Sequence, residues 1–182
     1  SAAAKAEATP SFGTISSPGN DPSVITVGSA NLKGTAARAD DTVNLFSSRG
    51  PTRGSYVDGS GVRRVDNLLK PDLVAPGNKI VGGAATDPSE SMASLNHLAK
   101  TYAALITPYG GMNQDGDEAL MMLSGTSISA PAVTGTVALM LQANPGLTPP
   151  LIKAMLQYSA QPLPDFNLLQ QGAGNLNVAG AV

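Results

Sequence analysis

The sequence contains no cysteine and no tryptophan, and only 13% of its 182 residues are charged. Without cysteine the chain can form no disulfide, offer no thiol nucleophile and bind no metal through thiolates. The charged fraction is well below the typical value of about 25%, which indicates little solvated helix surface. The 20 glycines and 14 prolines instead indicate many turns.

The charge balance and the hydropathy exclude two classes of partner. A net charge of −2 gives no basic footprint for binding nucleic acid. The sequence has no run of about 20 apolar residues, so it predicts no membrane-spanning helix. The longest apolar region, residues 130–141, is interrupted by Pro131 and Gly135.

Short apolar segments separated by turn residues predict several strands. The β-branched run at residues 23–28 predicts a buried parallel strand. Residues 43–46 predict a short strand, and residues 73–77 and 79–82, on either side of a turn, indicate one more. Residues 91–104 carry apolar side chains at helical spacing and could form a helix.

Two helices near the end of the chain are indicated more clearly. The first covers residues 127–142 and is apolar nearly all round, so we expect it to be central and buried. Pro131 fits such a helix only if it lies in the first turn. The second helix is indicated by Thr148 as N-cap and Pro149 at the first helical position.

Ser127 stands where the first of these helices begins, in the segment SGTSISAP at residues 124–131. A serine hydroxyl needs an adjacent base to become a nucleophile. A helix N-terminus also stabilises a developing oxyanion through its free N–H groups. A serine at this position is commonly a simple N-cap, so the local pattern alone leaves both interpretations open.

Four segments, in order along the chain, resemble the subtilisin-like serine peptidases. They are residues 18–28 (PGNDPSVITVG), residues 46–51 (FSSRGP) together with 70–77 (KPDLVAPG), residues 125–135 (GTSISAPAVTG) and residues 172–178 (GAGNLNV). The resemblance covers nearly all of residues 1–182, with residues 52–69 and 86–117 as expected insertions. Ala132 departs from the pattern, because many members have His there, but that position is not catalytic in the family.

The resemblance implies an α/β fold, a mostly parallel sheet with helices on both faces, of which this chain carries an incomplete, C-terminal part. It also implies an Asp–His–Ser triad in that chain order. Ser127 matches the nucleophile, and the Thr126 hydroxyl is expected to support the oxyanion site. The residues that match one wall of the primary specificity pocket are Ser16, Ser17, Pro18 and Gly19.

The family's Asp-Thr-Gly and His-Gly-Thr motifs have no match in this sequence. We therefore expect them in an N-terminal portion of the same peptidase and expect the isolated chain to be inactive. Asn20 follows a glycine but matches a later turn, so it is interpreted as a turn residue and not as the family's oxyanion amide. His97 is the single histidine, and a surface or interface role is expected for it.

Two functions from different classes remain open at this stage. The first is part of a secreted serine endopeptidase that acts on polypeptides and is completed by its N-terminal portion. The alternative is a non-catalytic interaction or structural module derived from half a peptidase. An α/β-hydrolase does not fit, because its nucleophile elbow needs Gly two residues after the serine and this chain has Ser129. An uncovered sheet edge would also favour self-association of the isolated chain.

No cofactor is predicted. Asp115, Asp117 and Glu118 could bind calcium, and Asp72 matches a position near an ion site in some relatives. Solvated acidic loops explain these residues equally well, so the sequence does not predict a metal.

Overall fold

The computed structural model describes residues 9–85, 96–106 and 119–182. The strands within these ranges are β1 (Val27–Asn31), β2 (Thr42–Val43), β3 (Ser55–Val57), β4 (Arg63–Val65), β5 (Leu73–Pro76), β6 (Ile80–Gly83) and β7 (Leu120–Leu123). The helices are α1 (His97–Thr101), α2 (Thr126–Ala143), α3 (Pro149–Ser159), α4 (Leu168–Gln171) and α5 (Val178–Ala181). None of these helices combines the length and the hydropathy that a membrane span requires.

The main sheet has the order β2–β1–β5. β1 and β5 are parallel, with Val27 opposite Leu73 and Ala30 opposite Pro76. β2 is antiparallel to the end of β1. The α/β class is therefore confirmed, with small, incomplete sheets. The strand predicted at 23–28 begins only at Val27, because polar side chains hold the backbone of residues 22–26.

β5 is flanked on both sides. Its second neighbour is the closing turn of the chain: Val74 N–H donates to the Gly174 carbonyl (2.9 Å), and Leu176 N–H donates to the Val74 carbonyl (2.8 Å). The closing turn that the resemblance predicted thus covers the far edge of β5. The uncovered sheet edge expected from the sequence does not occur at this strand.

Helix α2 packs across β1 and β5 through one face only. Its buried residues are Ser129, Val133, Thr136 and Met140, and Val133 and Met140 join Leu73 and Leu156 in the main apolar core. The prediction that this helix is buried all round is wrong for the described residues. Leu139 is 45% exposed, because no described residue covers the opposite face.

Pro131 is the sixth residue of α2, inside the helix and not in its first turn as the sequence predicted. Proline has no N–H, so the Ser127 carbonyl lacks its usual helical donor. Pro131 is exposed, and the loss therefore falls on the solvent side of the helix.

The two expected insertions differ in how much of them the structure describes. Residues 52–69 contain the antiparallel β3–β4 hairpin, whose strands are exposed along their whole length. Of residues 86–117, only 96–106 are described. The helix predicted at 91–104 is divided there into α1, which ends before Tyr102, and a 3-10 helix at Ala103–Leu105, and residues 91–95 lie outside the described part.

A buried ion cluster lies at the amino ends of β1 and β5. Asp72 is 4% exposed and Lys70 is 2% exposed. The Asp72 carboxylate contacts Lys70 Nζ at 2.7 Å and Lys153 Nζ at 3.0 Å, and it accepts the Thr26 N–H at 2.7 Å. Burial lowers the pKa of the Lys70 ammonium, an effect that hydrogen bonding and attraction to Asp72 oppose. A single carboxylate therefore compensates two cations.

We expect Asp72→Asn to lower the free energy of unfolding by about 3–5 kcal/mol, because it leaves two ammonium groups without a counter-charge. Lys70→Met should cost less, since Asp72 keeps Lys153 and the Thr26 N–H. Urea unfolding of the two variants measures the difference. Equal losses would show that the carboxylate is not the centre of the cluster.

Candidate active site

Ser127 is the second residue of α2, after Gly125 as N-cap. The N–H groups of Ile128 and Ser129 both donate to the Gly125 carbonyl, at 3.0 and 3.2 Å. The N–H groups of Thr126 and Ser127 precede these bonds and have no partner within the helix. Ser127 as a residue is exposed.

The turn that carries Ser127 is fixed to the carboxyl ends of β1 and β5. Gly125 N–H donates to the Gly77 carbonyl at 2.8 Å, and Gly77 N–H donates to the Ala30 carbonyl at 3.0 Å. Lys79 N–H donates to Ser124 Oγ at 2.8 Å. In open α/β sheets, ligands bind beyond the carboxyl ends of the strands, and the Ser127 turn lies there.

Gly77 is required by this close approach. A side chain at Gly77 would overlap Ser129 Oγ and Ser29 Oγ, and its Cβ would lie 2.7 Å from the Gly125 carbonyl oxygen. Two of these neighbours belong to the first turn of α2 or its N-cap. Any residue larger than glycine must therefore displace the start of the helix.

A cavity of about 140 Å³ lies beside the start of α2. Three of the residues predicted from the sequence line it, namely Ser16, Gly19 and Thr126. Ser17 and Pro18 belong to the adjoining turn, which also contains Asn20, but they do not line the cavity. Ser127 follows Thr126 at the mouth of the helix. The structure thus brings the nucleophile segment and the expected pocket wall together.

The remaining lining residues were not predicted from the sequence. They are Ile15, Thr26, Val27, Gly28, Ser48 and Pro71. Most of them belong to segments that carry the family resemblance, namely the first predicted strand and the FSSRGP and KPDLVAPG blocks. The order of these blocks along the chain was visible in the sequence, but their convergence on one cavity was not.

Arg49 positions the loop that contributes Ser48. Its guanidinium is buried and donates to three carbonyls, those of Leu45, Ser47 and Asn44, at 2.9, 3.1 and 3.2 Å. Burial lowers the pKa of this guanidinium. These bonds turn the chain after Val43, which explains why the strand predicted at 43–46 is confined to β2.

A larger cavity, about 340 Å³, is lined by Asn31, Lys33, Gly34, Asn78 and Lys79. None of these residues belongs to the GTS segment or to the predicted pocket wall. The smaller cavity is lined by Thr126 and is therefore the one beside Ser127, the expected nucleophile.

No described residue supplies a base for Ser127. His97 is exposed on α1, and its ring lies 3.5 Å from Thr101 Oγ1 on the same helix. Within the described ranges, no side chain forms a hydrogen bond with the Ser127 hydroxyl, and no group of acidic or histidine side chains could hold a metal ion. Both Asp72 oxygens contact lysine ammonium groups. Asp115, Asp117 and Glu118 lie outside the described residues.

Gly77→Ala should displace the Ser127 turn and lower the free energy of unfolding by about 1–3 kcal/mol, as overpacking does. We also expect slower reaction of Ser127 with a serine-directed phosphonate in the complete gene product. Gly82→Ala is the matched control, because no atom of a described residue lies within 4 Å of the added methyl group. A Gly77→Ala variant with normal stability and labelling would contradict the tight contact.

Comparison with known proteins gives a consistent result. Residues 5–177 match the Subtilase family of peptidases. The chain is 34% identical over 173 residues to the serine protease AprX of Bacillus subtilis, and the match covers 95% of this chain and 33% of AprX. It is 36% identical over 121 residues to the subtilisin-like protease SBT2.1 of Arabidopsis thaliana, covering 65% of this chain and 11% of that protein.

The fold is also similar to a solved structure. Superposition on the CspB protease of Clostridium perfringens gives a TM-score of 0.62 with 23% sequence identity, covering 95% of this chain and 29% of that protein. The chain therefore spans about a third or less of the length of each of these three proteins.

Proposed function

The chain belongs to the Subtilase family of serine peptidases, and from this premise we propose that it supplies the nucleophile, Ser127, of a serine endopeptidase. The observation that carries the proposal is the position of Ser127, which is exposed at the N-terminus of α2 and adjacent to a cavity lined by Thr126, Ser16 and Gly19. The substrate is a polypeptide.

The geometry supports a division of roles around the scissile bond. A substrate side chain enters the cavity, and the carbonyl carbon of that residue lies opposite the Ser127 hydroxyl. As the hydroxyl attacks, negative charge develops on the carbonyl oxygen, and the Ser127 N–H and the positive end of α2 stabilise it. The Thr126 hydroxyl supports the same oxygen. Ser17 and Pro18 shape the turn behind the cavity wall.

The proton of Ser127 needs an acceptor, and none is within reach among the described residues. We propose that a His and an Asp in an N-terminal portion of the same peptidase complete the triad. Two observations support this: the relatives are much longer than this chain, and no residue in the described ranges covers the outer face of α2. Loss of the catalytic base in such a triad lowers kcat by about six orders of magnitude, so the chain alone is inactive.

A non-catalytic interaction module is the second candidate. The feature that favours it is the same lack of a base near Ser127 in the described residues. Reactivity of Ser127 in the complete gene product separates the two functions, because only the enzyme requires an activated hydroxyl. Secretion is a further prediction, which derives from the family resemblance.

We expect a fluorophosphonate to label the complete gene product at Ser127, with labelling lost in Ser127→Ala. Residues 1–182 alone should not be labelled, because the hydroxyl stays protonated, and mixing with the N-terminal portion should restore the reaction. Ser60→Ala, in the turn between β3 and β4, is the control and should leave labelling unchanged. Labelled residues are identified by mass spectrometry of tryptic peptides.

Two results would contradict these expectations. Rapid stoichiometric labelling of residues 1–182 alone would show that the base lies within this chain. Absence of labelling in a well-folded complete gene product would favour the interaction module.

The uncovered face of α2 should also cause residues 1–182 alone to self-associate. Leu139 and Leu141 are 45% and 38% exposed on this helix, and burying such side chains gains about 25 cal/mol per Å². Light scattering should show dimers or larger assemblies whose fraction increases with concentration. Leu139→Glu should reduce this fraction, and a monomer at all concentrations would contradict the prediction.

A further inference from the structure

Thr26 connects the cavity to the buried ion cluster. Its side chain lines the cavity, and its hydroxyl donates to the Gly19 carbonyl on the cavity wall at 2.7 Å. Its N–H donates to Asp72 Oδ2 at 2.7 Å, and its carbonyl accepts the Asp72 N–H at 2.8 Å. The side chain and the backbone of Thr26 are therefore both fixed by short hydrogen bonds.

The contact between Thr26 and Gly19 leaves little room. The Thr26 Cγ2 methyl lies 3.3 Å from the position that a Cβ on Gly19 would occupy. Because the hydroxyl is committed to the Gly19 carbonyl, the methyl group cannot rotate away without breaking that bond. The Thr26 side chain thus sets the distance between the segment that leads into β1 and the cavity wall at Gly19.

The backbone that leads to Thr26 is held by the two lysines of the ion cluster. Lys153 Nζ, on α3, donates to the carbonyls of Pro22 and Val24, both at 2.9 Å. Lys70 Nζ donates to the same Val24 carbonyl at 3.0 Å. These ammonium groups are fixed in turn by Asp72, so the cluster determines where Thr26 stands.

The chemistry of the cavity limits what it can accept. None of the described residues that line it is charged, and Ile15, Val27 and Pro71 are apolar. Its volume is about 140 Å³, whereas pockets for small molecules usually measure about 300–1,000 Å³. A cavity of this size has room for one amino-acid side chain. An ionised side chain would lose its hydration there without gaining a counter-charge.

We propose that Thr26 is a specificity-determining residue, which restricts the residue before the cleaved bond to an uncharged side chain of limited size. Lys70, Asp72 and Lys153 are its positioning residues. This inference rests on the proposed function, since it takes the cavity beside Ser127 as the site for that substrate side chain.

Two variants of Thr26 separate its methyl group from its hydroxyl. Thr26→Ser keeps the bond to Gly19 and removes the methyl group, so selectivity should shift about tenfold from Leu towards Phe, as expected for one methyl-sized change in an apolar pocket. Thr26→Val keeps the shape and removes the hydroxyl. The wall then loses one hydrogen bond, and KM should rise about fivefold for all uncharged substrates with kcat unchanged.

The measurement is kcat/KM of the complete gene product on peptides that differ only in the residue before the cleaved bond, namely Ala, Leu, Phe, Lys or Glu. Lys153→Met tests positioning. It removes the donor to the Pro22 carbonyl and one of the two donors to the Val24 carbonyl, and it should reproduce the rise in KM, with rescue by Lys153→Arg. Thr136→Val is the matched control, because it removes another hydroxyl–carbonyl bond (to Ala132, 2.9 Å) away from the cavity.

Three results together support the inference: selectivity shifts in Thr26→Ser, KM rises in Thr26→Val, and neither selectivity nor KM changes in Thr136→Val. An equal loss of kcat/KM on every peptide in Thr26→Ser would overturn it and leave Thr26 a structural residue, as would efficient cleavage after Lys or Glu by the wild type. A wild-type protein that neither cleaves peptides nor reacts at Ser127 overturns the proposed function and the inference with it.

Discussion

The Asp72 carboxylate is the contact on which the arrangement of β1, β5 and α3 depends. It contacts two ammonium groups and one backbone N–H from segments far apart in the chain. A buried carboxylate is tolerated only when its oxygens are fully compensated, so these segments must meet at one point. β1 and β5 both begin directly after this point, at Val27 and Leu73. Their parallel register therefore starts from a polar contact, and the apolar core fills the space beyond it.

The candidate site lies between two kinds of constraint. On one side, a hydrogen bond to the Asp72 carboxylate fixes Thr26, and the Thr26 hydroxyl donates to the Gly19 carbonyl of the wall. On the other side, the absence of a side chain at Gly77 lets Gly125 approach and fixes the start of α2. The first constraint determines the shape of the cavity, and the second determines where Ser127 stands. A substrate that bridges the two is held on rigid elements on both sides, which is what precise attack on a carbonyl requires.

The local sequence pattern was sufficient to predict some structural features and not others. The helix that follows Gly125 was predicted within a residue or two, and the family resemblance identified the closing turn and the segments around the cavity. The true start of β1 could not be predicted, because it depends on a lysine 131 residues away from Pro22, and such a contact leaves no periodicity in the sequence. The exposed face of α2 was missed for a related reason, since an apolar helix has the same composition whether its second face is covered or not. The role of Thr26 was also not predicted, because in the sequence it is one β-branched residue among several in a predicted strand.

The flanking of β5 by Gly174 and Leu176 has a consequence for how the chain is synthesised. β1 and β5 leave the ribosome well before the tail that completes the pairing of Val74. During that interval the outer edge of β5 offers free N–H and carbonyl groups to any other strand. The nascent chain is therefore most vulnerable to mispairing before residues 174–176 have been translated, and truncation before Gly174 would leave this edge of β5 open.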